Sequence, residues 1–118
     1  NSAWYNYQLK NQWNPLHTHS NFAGIQENPS ISTVGYLQIP KDMKAIEGEK
    51  EHNKFSGCVE WREGSEGMFQ FATYKKTPKE RDFYIFPANL EHQVYPHNSK
   101  EARISFSFNA VIKFKPID

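Results

Sequence analysis

Three histidines and one arginine carry the chemistry this sequence could perform. His17-Thr18-His19 lies near the start; His92 and the triplet Arg103-Ile104-Ser105 lie near the end. In an extended strand, side chains two apart share a face, so His17 and His19 stand about 6.5 to 7 Å apart along the backbone and can converge on one cation. A third imidazole from a distant strand would complete a three-ligand face on a transition metal, and a nearby guanidinium would suit a carboxylate. The H-x-H pair alone leaves a second role open, that of two residues lining a wet strand face. His92 adds weight to the metal reading. It falls between Tyr84-Ile85-Phe86-Pro87 and Val94-Tyr95-Pro96, a strand, turn and strand pattern that would hold it on a rigid element. His52 and His97 sit among charged or turn residues and are expected to be solvated rather than ligating.

The elements that must position these groups are short strands. Segments 3–9, 16–19, 31–39, 57–61, 68–74, 82–86, 91–95 and 102–114 are rich in β-branched and aromatic residues, and clusters such as Asn28-Pro29-Ser30 and Pro96-His97-Asn98-Ser99 separate them. This punctuation predicts an all-β sandwich or barrel with little or no helix. Residues 41–54 are highly charged and predict a loop with at most a helical turn. Placing a hairpin turn near Asn98 and Ser99 sets Val94 opposite Arg103 and His92 opposite Ser105 on paired strands. The last strand alternates Arg103, Ser105, Ser107 and Asn109 with Ile104, Phe106, Phe108 and Ala110. Its polar face would line a cavity. Its apolar face needs cover, from the amino-terminal strand or from a second subunit, so a homodimer is expected.

Composition narrows the function classes. A length of 118 residues suits one domain, 1–118, with a single core. Fourteen basic residues balance thirteen acidic ones, and no basic block stands out, which gives nucleic acid binding no electrostatic support. No apolar run approaches the ~18 residues of a membrane helix, and the first residues lack the apolar centre of a signal peptide. Cys58 is the single cysteine, so no intrachain disulfide framework exists and a cytoplasmic location is expected. Cys58 is expected to be buried and unreactive. Trp61, Phe69 and Phe71 are candidates for a substrate wall, although strand aromatics more commonly build a core. Glu60, Glu66 and Glu91 suggest no glycosidase pair.

Taken in order, Asn14-Pro15-Leu16-His17-Thr18-His19, Ser32-Thr33-Val34-Gly35-Tyr36-Leu37-Gln38-Ile39-Pro40, Phe86-Pro87-x-x-Leu90-Glu91-His92-x-Val94-x-Pro96 and Arg103-Ile104-Ser105-x-Ser107-Phe108-Asn109 form a specific set. The set resembles the 2-oxoglutarate and Fe(II) dependent oxygenases, in particular a small branch similar to the prolyl hydroxylases. The likeness runs from about Trp4 to Asn109. It implies a double-stranded β-helix, a jelly roll like that of the cupins, with iron at its open end. It also implies His17, His19 and His92 as metal ligands, Arg103 and Ser105 on the distal carboxylate of 2-oxoglutarate, Tyr36 hydrogen-bonded to the same carboxylate, and Asn14 as a further residue of the cosubstrate pocket. The implied activity is hydroxylation of an unidentified small-molecule or peptidyl substrate, with succinate and carbon dioxide as co-products.

One departure stands out. The superfamily usually carries H-x-D or H-x-E, and this chain has His19 in the carboxylate position. A neutral third ligand leaves the site one positive charge higher, which still favours a dianionic cosubstrate, and zinc, nickel or copper would also accept three imidazoles. Two other readings compete. A cupin builds a metal site from H-x-H and a later histidine without needing a keto acid, but the glutamate it expects soon after H-x-H is missing, and the Arg103-x-Ser105 pair has no place in it. A non-catalytic jelly-roll module is the other.

Overall fold

The computed structural model describes residues 2–19, 29–43, 55–63 and 73–117. These form eight strands: β1 (Ser2–Gln8), β2 (Asn14–His17), β3 (Ile31–Gln38), β4 (Val59–Arg62), β5 (Thr73–Lys76), β6 (Phe83–Pro87), β7 (Glu91–Val94) and β8 (Arg103–Ala110). They pair into two four-stranded antiparallel sheets, ordered β1-β8-β3-β6 and β2-β7-β4-β5. The all-β expectation holds: this is a jelly-roll arrangement, and the described residues contain no helix. Of the predicted fifth strand, residues 73–74 belong to β5, which runs on to Lys76, and 68–72 lie outside the described residues. The eighth strand stops at Ala110, short of the predicted 114.

Apolar packing joins the sheets through Val59 and Trp61 of β4 and Phe86 of β6, flanked by Val34, Tyr84, Leu90 and Val94. Trp61 meets Tyr84 and Phe86 edge-on, with ring centroids 5.3 and 5.7 Å apart. Such T-shaped contacts add to area burial by matching positive ring edges to negative faces. Trp61 is thus a core residue, while Phe69 and Phe71 lie outside the described residues.

The first sheet turns the usual pattern around. Along β8, Arg103, Ser105 and Ser107 are buried against the second sheet, while Ile104, Phe106 and Phe108 lie half-buried on the outer face. β1 follows suit, with Trp4, Asn6 and Gln8 lining the same cavity and Tyr5 and Tyr7 exposed. The sheet thereby encloses a polar cavity rather than a dry core. On its outer face the Phe106 ring lies directly over Gly35, where any Cβ would collide with it.

Two expectations about β8 are corrected. β7 and β8 do not form a hairpin. β7 pairs with β2 and β4, β8 pairs with β1 and β3, and residues 95–102 cross between the sheets. Val94, His92, Arg103 and Ser105 still face one another, but across the gap between the sheets. The connector spends its hydrogen bonds elsewhere: the Tyr95 amide donates to the Cys58 carbonyl, and the Pro96 and His97 carbonyls accept from Gly57 and Asn11. That is the physical reason a local hairpin loses. The amino-terminal strand, in turn, does not cover the apolar face of β8; β1 pairs edge to edge with it. His97 is also not solvated: it is buried, its Nε2 donating to the Gln8 carbonyl at 2.9 Å. His52 lies outside the described residues. Cys58 is buried as expected.

Candidate active site

β2 and β7 are neighbours, and His17 and His92 are direct partners in their register. A register shift falls between the Asn14–Val94 and His17–His92 pairs, and past His17 the chain continues to His19, whose amide donates to the Ala88 carbonyl at 2.9 Å. Beside them His92 is the second residue of β7, just after a tight turn at 88–90. The three imidazoles converge. Their candidate ligand nitrogens all lie within 4.8 Å of one another, and their ring centroids are 5.0, 4.2 and 4.9 Å apart.

Hydrogen bonds orient two of the rings. His17 Nδ1 lies 2.6 Å from the Pro15 carbonyl and His92 Nδ1 3.0 Å from the Leu90 carbonyl. A carbonyl can only accept, so each Nδ1 carries the proton and each Nε2 presents its lone pair, the arrangement expected of a metal-binding histidine. His19 Nε2 lies 3.1 Å from His92 Nε2, and Trp4 packs against the His19 ring. Burial pushes the His92 pKa down to about 4; the hydrogen bond to the Leu90 carbonyl pulls the other way, and the neighbouring imidazoles add to the lowering. The His19 pKa is lowered by burial and by His17. Both rings are therefore neutral near pH 7, as ligation requires. The donor set fits a divalent transition metal.

The other wall of the cavity comes from the first sheet. Tyr36 and Asn6 flank Ser105 in register, and Gln8 pairs with Arg103. A one-residue shift between Tyr36 and Gln38 re-aims the strand at this point. Together with the histidines and Asn14, these residues enclose about 220 Å³. This is smaller than the ~300–1,000 Å³ typical of drug-sized sites, and suits a small ligand.

Arg103 is almost wholly buried. Its Nη1 donates to the Gly57 carbonyl at 2.8 Å and its Nη2 to Gln8 Oε1; Gly57 has positive φ, which favours a residue without a Cβ. Its Nε has no partner among the described residues, nor has the buried hydroxyl of Tyr36. Burial pushes the Tyr36 pKa up to about 12, although the Arg103 charge pulls the other way. Two unsatisfied buried donors beside a positive charge are costly unless an acceptor arrives, and a carboxylate would supply it. The cavity thus offers cation ligands at one end and anion donors at the other. Every site residue read from the sequence, His17, His19, His92, Arg103, Ser105, Tyr36 and Asn14, lines it.

Sequence reasoning missed Trp4, Asn6 and Gln8. Their alternation with Ala3, Tyr5 and Tyr7 was the available signal, since it places two amides on one face of a strand.

A family model described as "Putative 2OG-Fe(II) oxygenase" matches residues 2–109. The chain belongs to this family. Fe(II) and 2-oxoglutarate are the cofactors of 2OG-Fe(II) oxygenases, and the donor sets at the two ends of the cavity fit both. Among solved structures, a Pseudomonas putida prolyl-4-hydroxylase superposes with a TM-score of 0.61 at 14% identity, over 98% of this chain and 54% of that one. The oxygenase chain thus spans about half the length of that neighbour, and the likeness is one of fold. Comparison with curated proteins gives no significant match. Among the described residues no helix is long and apolar enough to cross a membrane.

Proposed function

We propose that this oxygenase hydroxylates a small-molecule or peptidyl substrate, with His17, His19 and His92 holding Fe(II) and Arg103, Tyr36 and Ser105 receiving the distal carboxylate of 2-oxoglutarate. The observation that carries the reading is the meeting, in one cavity of about 220 Å³, of three convergent imidazoles with an arginine and a tyrosine that have unsatisfied donors. Bound iron and keto acid supply the oxidising chemistry: dioxygen is consumed, 2-oxoglutarate becomes succinate and carbon dioxide, and one oxygen atom enters a C–H bond of the substrate.

The chain's own residues do the rest. The Pro15 and Leu90 carbonyls fix the proton on Nδ1 of His17 and His92, so two Nε2 lone pairs aim at one point. Arg103, carrying its charge in a buried setting, binds and orients a dianion. Phe86, 4.9 Å from the His92 ring, and Trp4 beside His19 help keep water from the histidines. His19 in place of a carboxylate leaves the metal end more positive, which strengthens attraction for the dianion.

The test is succinate formation by the iron-reconstituted protein, with and without candidate substrates. Succinate that depends on 2-oxoglutarate and on His92 supports the reading. Tight metal binding with no binding of 2-oxoglutarate refutes it.

A further inference from the structure

Gln8 sits at the anion end of the cavity and holds it together. Its side chain is buried; Oε1 accepts from Arg103 Nη2, and Nε2 donates to Asn14 Oδ1 at 3.2 Å. Its backbone is held as well, because the Gln8 carbonyl accepts from His97 Nε2 at 2.9 Å. Arg103 Nη1 is tied to the Gly57 carbonyl, and the Gly57 amide donates to the Pro96 carbonyl at 3.0 Å, next to His97 in the connector. The result is a closed ring of contacts, Gln8 to Arg103 to Gly57 to Pro96-His97 and back to Gln8. Neither partner can shift without the other.

The chemistry of that contact is as informative as its geometry. Gln8 and the Gly57 carbonyl, the acceptors holding Arg103, are both neutral, and no carboxylate among the described residues pairs with the guanidinium. A glutamate at position 8 would bond Arg103 more strongly, but it would cancel the charge an incoming dianion needs. Glutamine orients the fork and leaves its charge free. The amide also occupies space where Arg103 meets the cavity, and in a pocket this small each methylene of ligand counts.

We propose that Gln8 is a specificity-determining residue for the keto acid: its amide orients Arg103 without neutralising it and closes the cavity's far end, so that a five-carbon dicarboxylate fits and a longer one does not. The inference rests on the assignment of Arg103 to the distal carboxylate.

Calorimetric titration of 2-oxoglutarate and of its six-carbon homologue 2-oxoadipate into the Fe(II)-loaded protein under nitrogen tests it. Wild type, Gln8→Ala, Gln8→Glu and Arg103→Ala are compared, with Fe(II) affinity measured separately for each. Wild type should favour 2-oxoglutarate. Gln8→Ala, which removes the amide and one methylene, should shift the ratio toward 2-oxoadipate by about tenfold or more while Fe(II) affinity stays unchanged. Gln8→Glu keeps the side-chain shape, so it carries the test should the alanine variant not fold; it should weaken both keto acids by about a hundredfold and leave Fe(II) binding intact. A purely structural role would move both ligands and the metal together. Should both Gln8 variants keep the wild-type ratio and affinities while Arg103→Ala loses binding, the Gln8 inference fails alone. Should Arg103→Ala bind as tightly as wild type, or wild type bind neither keto acid, the assignment of Arg103 fails and this inference falls with it.

Discussion

On the proposed reading the histidines serve a cation and Arg103 an anion, and substitution should separate the two roles. His92→Ala removes an imidazole that lies in direct register with His17, so Fe(II) binding should fall by at least a hundredfold; competition with a colorimetric chelator measures it. Arg103→Ala should act on the opposite end. Charge-assisted hydrogen bonds contribute roughly 1.5 to 3 kcal/mol each, so 2-oxoglutarate affinity should drop at least tenfold while Fe(II) affinity holds. Arg103→Lys keeps the charge without the planar fork and should recover only part of that loss. Anaerobic titration of the ferrous variants reads both. These residues were legible in the sequence because each has an uncommon side chain at a spacing the chemistry demands. Gln8 was not. A glutamine in a strand has no chemical signature until its partner is known, and here that partner lies far along the chain.

At the level of elements, β4, β5 and β7 carry a polar network on the side away from the cavity. Glu60 is buried there, accepting from Tyr95 at 2.7 Å, Arg62 at 2.9 Å and Gln93 at 3.0 Å, with Lys75 at 3.3 Å. Burial alone would raise its pKa, but these donors outweigh that and hold it at about 2, below the ordinary 4.5. A carboxylate with a depressed pKa stabilises the fold fully above its unfolded value. The contribution, on the order of 3 kcal/mol, should therefore be lost as the pH falls from about 4.5 toward 2. Glu60→Gln should lower the Tm at pH 7 and flatten its dependence across that window, which thermal unfolding in a pH series would show. The network also explains why the connector leaves β7 as it does. Tyr95 is held to Glu60 in the second sheet, which turns the chain away from the hairpin that local turn residues favoured.

On the scale of the whole molecule, the outer face of the first sheet is the feature the cavity leaves unexplained. Phe83 stacks with Phe106 and Phe108 at 6.0 Å, and Tyr5 and Tyr7 lie beside Phe106 and Ile104 in register. Tyr5, Tyr7, Phe83 and Ile85 are exposed, so among the described residues this face carries uncovered large apolar side chains. We expect the 118-residue chain to pair as a two-fold dimer through this face. Sedimentation should show a dimer at micromolar concentration. Tyr5→Lys with Ile85→Lys should shift it to monomer without changing Fe(II) affinity, since both side chains point away from the histidines.

By itself the sequence determined the all-β class and most strand positions, and it pointed to the three histidines and the Arg103-x-Ser105 pair that line one cavity. Strand alternation and side-chain chemistry are local properties, written in residues two apart. Pairing partners were decided only in the tertiary structure. Residues 91–110 read locally as a hairpin, yet β7 and β8 belong to opposite sheets because the Tyr95 amide and the Pro96 and His97 carbonyls bond to residues remote in sequence. The same long-range bonds buried His97, which its polar neighbours had suggested was solvated, and set it against Gln8. Local pattern specifies which face a side chain takes. Which sheet that face looks onto depends on hydrogen bonds to distant strands, and these form only when the chain closes on itself.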